Sequence, residues 1–185
     1  MTQASLDLGG IQLAPETLED QRGAWCTPLK YTTAVGPHDL DPYTNPRSSL
    51  RARHTCMLER GDDGFGLDRR SVLGAFYVAQ TGHHVATSDW RVWIQPPYSI
   101  VLDALAHYGH TRFTALLRLD TSTLWFEQLY ALSEVIMVPR RDRLEFVPPP
   151  GVKASSNPFP HGLYYRRAAD VTPEVERLCY PWRVR

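Results

Sequence analysis

Gln95-Pro96-Pro97-Tyr98 stands directly behind the run Arg91-Val92-Trp93-Ile94. That run is short, apolar and rich in β-branched and aromatic residues, which predicts a buried strand. Neither proline has an N–H to give to a sheet, so the ladder must stop at Gln95. Residues 95–98 are therefore expected to form a stiff loop at a strand's carboxyl end. The loop carries an amide, two carbonyls and an aromatic ring, which is a set of fixed acceptors beside a stacking surface.

Other residues carry chemistry at a distance from that loop. Asp39 and Asp41 sit in one acidic turn, and Asp62 and Asp63 in another. Taken alone, both read as caps or solvated loops. Arg140, Arg141 and Arg143 stand beside Phe146. They can grip phosphates while the ring lies near a base, or they can form a solvated turn with Phe146 in the core. His83, His84, His107 and His110 have no carboxylate or cysteine at ligand spacing, so no metal is expected. Cys26, Cys56 and Cys179 are scattered and odd in number, which points to a reducing, cytoplasmic setting.

These groups need elements to hold them. Residues 1–22 read as an irregular arm. His38–Asp41 reads as a short strand end, with Pro42 and residues 44–46 as a turn. Ser48 or Ser49 is placed to cap a short arginine-bearing helix. Residues 55–59 read as a strand and 60–66 as an acidic turn. Over 68–82, Val72, Leu73, Phe76 and Tyr77 share one helical face. Residues 99–109 read as a helix capped by Ser99 and closed by Gly109, 112–119 as a buried strand, and 120–132 as a capped helix. Residues 134–138, 143–147 and 162–167 read as late strands, with a long Pro/Ser loop before the last. Alternating strands and helices predict an α/β sheet. Ligands of open α/β sheets sit at the strands' carboxyl ends. The Asp39/Asp41 turn, the Asp62/Asp63 turn and the Gln95–Tyr98 loop should therefore meet on one edge.

Bulk properties narrow the class. The 185 residues suit one domain, with 43% hydrophobic and 22% charged residues and a formal net charge of zero. A chain coated in positive charge is excluded; a local basic groove is not. No apolar run approaches membrane-spanning length, so no membrane partner is expected.

Taken in order, WCTP (25–28), DLDPYTNP (39–46), DDGF (62–65), VWIQPPYS (92–99), LLRLDTSTLWF (116–126) and RDRLEF (141–146) resemble the phage and prophage Dam-like DNA N6-adenine methyltransferase family. The resemblance covers about residues 24–167. It implies a Rossmann-like methyltransferase fold, with a mixed, mostly parallel sheet flanked by helices, that uses S-adenosyl-L-methionine. It also implies a methyltransferase domain over 23–170, with an insert at about 68–89 and a tail at 171–185.

In that family the loop holds an exocyclic amine, whose lone pair is delocalised into the base. Two acceptors on its N–H groups concentrate charge on nitrogen as it attacks the methyl group. The resemblance gives Gln95 the side-chain acceptor, Pro96 the backbone acceptor, Pro97 the stiffening and Tyr98 the stacking on a flipped base. It places the cofactor against Trp25, Thr27, Pro28, Asp39, Asp41 and Asp63. It gives Arg140, Arg141, Arg143 and Phe146 to DNA. This chain departs from the family at the first loop position, where Gln95 replaces Asn or Asp on an arm one methylene longer. The partner implied is double-stranded DNA. A separate target-recognition domain has little room, so the insert at 68–89 and the loop at 148–161 would share that work, with either loose sequence specificity or a homodimer. The same loop chemistry also serves enzymes acting on RNA bases or protein glutamine, and an inactive relative would keep the cleft for binding alone.

Overall fold

The computed structural model describes residues 25–57, 89–140, 143–154 and 159–185. The expected arm at 1–22, the Asp62/Asp63 turn and the 68–82 helix lie outside them.

Seven strands form one sheet in the order β2-β1-β3-β4-β6-β5-β7. They are β1 (His38–Thr44), β2 (Ala52–Met57), β3 (Arg91–Ile94), β4 (Arg112–Arg118), β5 (Val135–Pro139), β6 (His161–Tyr165) and β7 (Cys179–Val184). Strands β2, β1, β3 and β4 pair in parallel. Strand β6 lies antiparallel between β4 and β5, and β7 closes the edge antiparallel to β5. Strands β1 to β5 thus point one way, and β6 and β7 return. The chain is α/β with a mixed sheet.

Side-chain alternation along the strands builds two cores. Leu40, Val92, Ile94, Phe113, Ala115, Leu117, Ile136 and Tyr164 are buried with helices α2 (Val101–Tyr108) and α3 (Leu124–Leu132). Trp93, Leu116, Val135, Met137, Leu163 and Tyr165 are buried on the other face with α1 (Leu29–Ala34) and α4 (Pro173–Leu178). Thr123 caps α3 through Phe126 N–H at 3.3 Å. Gly36, with φ of +73°, turns the chain from α1 into β1, a conformation that L side chains resist.

Several expectations need correction. Pro42 does not end the first strand; β1 continues to Thr44, with a register shift between Asp41 and Thr44 where a residue without an N–H is tolerated. No helix forms at Ser48 or Ser49. The segment from Asn45 to Arg51 must return along all of β1, about 20 Å, before β2 can start in parallel. A helix rising ~1.5 Å per residue is too short for that return. Ser99 does not cap α2: Tyr98–Ile100 forms a 3-10 turn, closed by Ile100 N–H on the Pro97 carbonyl at 3.1 Å. Residues 143–147 form no strand, only one bridge between Val147 and Cys26. Both edges of β5 are already taken by β6 and β7.

Residues 171–185, expected as a tail, carry α4 and β7. Asp170, just before them, is buried and accepts two bonds from Arg112 Nε, at 2.7 and 2.8 Å.

Candidate functional site

From β1 the sheet extends one way to β2 and the other way through β3 to β4. Neighbouring strands whose connections leave in opposite directions open a crevice at their carboxyl ends. Here that crevice lies between the end of β1, Asp41 to Asn45, and the end of β3, Gln95 to Tyr98.

Three further segments close around it. The chain before α1 is tied to the 143–147 segment by Cys26 N–H on the Val147 carbonyl at 2.9 Å and its reciprocal at 2.8 Å. Cys26 Sγ–H also reaches Asn45 Oδ1 at 3.4 Å. Arg47 Nη2 donates to the Pro148 carbonyl at 2.7 Å. The antiparallel strand β6 starts at this edge, because Arg118 at the end of β4 pairs with His161.

Gln95 is the most constrained polar residue here. It follows Trp93 by two, so strand alternation puts both on the α1 face. Trp93 Nε1 lies 3.2 Å from Gln95 Oε1. Thr27 Oγ1 lies 2.8 Å from the same oxygen. Trp93 is buried, with His38 edge-on to its ring at 5.5 Å. Gln95 itself is half-buried, and Pro96 behind it is buried.

Tyr98 is exposed at the rim but firmly held. His161 Nδ1 sits 3.1 Å from the Phe159 carbonyl. A carbonyl only accepts, so Nδ1 carries the proton and Nε2 is left as an acceptor. Tyr98 O–H therefore donates to His161 Nε2 at 3.1 Å. Burial pushes His161 down to about 4, so the ring stays neutral at ordinary pH. Burial also raises the Tyr98 phenol above its usual value. The Arg118 guanidinium lies 4.2 Å from the Tyr98 ring centre and 4.4 Å from that of Phe159. It fills one stacking face of Tyr98, while Trp125 lies 6.1 Å away at a 36° tilt.

Asp41 is buried near the end of β1 and accepts Tyr43 N–H at 3.2 Å. Burial pushes its carboxyl up to about 6, against the pull of Tyr43 N–H and the Thr44 hydroxyl. Among the described residues no cation pairs with it. Asp39 lies elsewhere. Its carboxylate accepts Arg91 N–H at 2.8 Å, at the strands' amino ends and away from the crevice.

The structure thus brings Thr27, Asp41, Gln95, Pro96 and Tyr98 to one edge, and Trp25 and Pro28 lie with Thr27 in the chain before α1. Phe146 is half-buried, edge-on to His161 at 5.1 Å, so it packs under the Tyr98 support. Arg140 and Arg143 are exposed, with Arg140 Nη2 donating to the Glu176 carbonyl at 3.3 Å. Asp63 and Arg141 lie outside the described residues.

Trp93, Arg118, Phe159 and His161 join the site without having been picked out from the sequence. Only Trp93 had a signal, its i, i+2 spacing from Gln95. Among the described residues no group of His, Cys, Asp and Glu is placed to hold a metal, and no helix is long and apolar enough to cross a membrane. Comparison of the chain with protein-family models, curated proteins and solved structures finds no match.

Proposed function

We propose that this protein is an S-adenosylmethionine-dependent methyltransferase acting on adenine N6 in double-stranded DNA. The observation that carries the reading is the meeting of the Asp41–Asn45 strand end and the Gln95–Tyr98 loop across one crevice of a mixed sheet. The order β2-β1-β3-β4 supports the Rossmann-like form of that fold.

The residues present fit the cofactor. S-adenosylmethionine is cationic at both its sulfonium and its amine, and Asp41 is a buried carboxyl with no cation beside it among the described residues. Asp41, Thr27 and Asn45 would hold it. When bound it would supply an activated methyl group on a sulfonium, whose C–S bond would break with the pair kept by sulfur as the amine nitrogen takes the methyl and loses its proton to solvent.

The chain's own residues do the rest. The Pro96 carbonyl, stiffened by Pro97, accepts from the target amine and raises electron density on nitrogen. The two stiffened strand ends would fix the approach of the amine. Tyr98, braced by His161, gives a flipped base its stacking surface on the face away from Arg118. Arg140 and Arg143 stand exposed for phosphates.

The test is turnover. Purified protein is incubated with unmethylated DNA and S-adenosylmethionine, and the digested nucleosides are read by mass spectrometry. N6-methyladenine is the expected product. Cofactor binding with no methylated base on varied DNA overturns the reading. It would favour a second one, methylation of another amine or binding without catalysis, which the engagement of Gln95 Oε1 by two donors already recommends.

A further inference from the structure

Gln95 occupies the position where a methyltransferase of this kind is expected to present a side-chain oxygen to the amine. The geometry points to the opposite polarity: we infer that Gln95 offers its amide N–H2 to the substrate and reads an acceptor atom next to the target amine. The inference rests on the methyltransferase reading above and specifies how that site selects its base.

The orientation of the amide follows from chemistry. An indole N–H is a donor and never an acceptor. The Gln95 atom 3.2 Å from Trp93 Nε1 must therefore be the carbonyl oxygen. Thr27 O–H fills the second lone pair of that oxygen at 2.8 Å. An amide oxygen has two lone pairs, so none remains for a substrate amine. Turning the amide over would set its N–H2 against the indole N–H and leave two donors facing each other. The amide nitrogen takes no bond from the described residues, and neither does the Pro96 carbonyl.

The loop therefore presents one donor and one acceptor side by side. The Watson–Crick edge of adenine offers the complement: an amine N–H for Pro96 and the lone pair of ring N1 for Gln95. Cytosine offers the same pair through its amine and N3. Guanine does not on that edge, because there its amine neighbours the protonated N1, which would face the Gln95 donor. Thr27 and Trp93 become positioning residues, since their bonds hold the oxygen inward.

The closing experiment compares wild type with Gln95→Glu on duplexes whose target is adenine or 1-deazaadenine, which lacks the N1 lone pair. A lost hydrogen bond of ordinary strength predicts roughly a tenfold drop in kcat/KM for wild type on the deaza base. Gln95→Glu, which has no amide donor, should separate the two bases by less than about threefold. Equal discrimination by both proteins overturns the inference and leaves the methyltransferase reading standing, because adenine is still turned over.

If neither protein methylates adenine while S-adenosylmethionine still binds, the methyltransferase reading is what fails. The orientation is then judged from the Trp93 indole proton by NMR, assigned with Trp93→Phe. Loss of its acceptor in Gln95→Leu should move it upfield. A resonance that stays in place overturns the inference whatever the turnover shows.

Discussion

If Asp41 holds the proposed cofactor, folding and binding make opposite demands on it. Its pKa of about 6 lies above the 3.8 of an ordinary aspartate. Between those values the native state holds a proton that the unfolded chain has lost, so stability falls as pH rises and levels off above about 6. Asp41→Asn keeps the acceptor for Tyr43 N–H and removes the charge. It should raise stability at pH 7 by roughly 1–3 kcal/mol and by less at pH 5, read from urea midpoints at the two values. The same change should weaken S-adenosylmethionine binding, measured by calorimetry. Gain of stability with loss of affinity is the mark of a residue kept for its ligand.

At the scale of elements, the site depends on how α1 is anchored, because Thr27 enters the crevice just ahead of that helix. Thr172 does two jobs in that anchoring. Its hydroxyl donates to the Ala34 carbonyl at 2.6 Å and accepts Val175 N–H at 3.2 Å, so it joins the last turn of α1 to the first turn of α4. Removing a helix cap and a partly buried bond together predicts a loss of roughly 2 kcal/mol for Thr172→Ala. Thr172→Ser retains both bonds and should stay within about 0.5 kcal/mol of wild type. Equal losses in chemical denaturation would mean that the methyl packing, not the hydroxyl, does the joining.

Across the whole molecule, acid should be the weak side. Burial pushes His38 down to about 3 and His161 to about 4. The unfolded chain takes up these protons below about 6.5, while the native chain refuses them until much lower pH. Their contribution is fully present above about 6.5 and lost as pH falls toward 4 and then 3. Asp41 works the other way between 6 and 3.8, but it is one group against two. The net expectation is a loss of roughly 2 kcal/mol between pH 7 and pH 5, and a flat denaturation midpoint over that range would contradict it. The carboxyl-terminal segment belongs to the same whole. A chain ending at Asp170 loses β7 from the edge of β5 and bares the buried Val175 and Cys179 contacts with the second core. It should fail to give the cooperative thermal transition of the full chain.

Local chemistry alone determined much of this protein. Two prolines without N–H groups end β3 at Ile94, and the mostly apolar run of β4 marks it as buried on both faces. Thr123 caps its helix as the pattern before Leu124 requires. Long-range pairing decided the rest. Only the sheet order shows that β5 has no free edge, so the alternating 143–147 run becomes a strap over Cys26. Only the return needed for a parallel β2 forces Asn45–Arg51 to stay extended. In the site, the Pro-Pro loop and Asp41 were legible because proline geometry and strand ends are local. The polarity of Gln95 was not. It is set by Thr27, separated from it by 68 positions, and by the donor-only nitrogen of Trp93. A sequence names the amide; the two donors packed against its oxygen decide which end is left open.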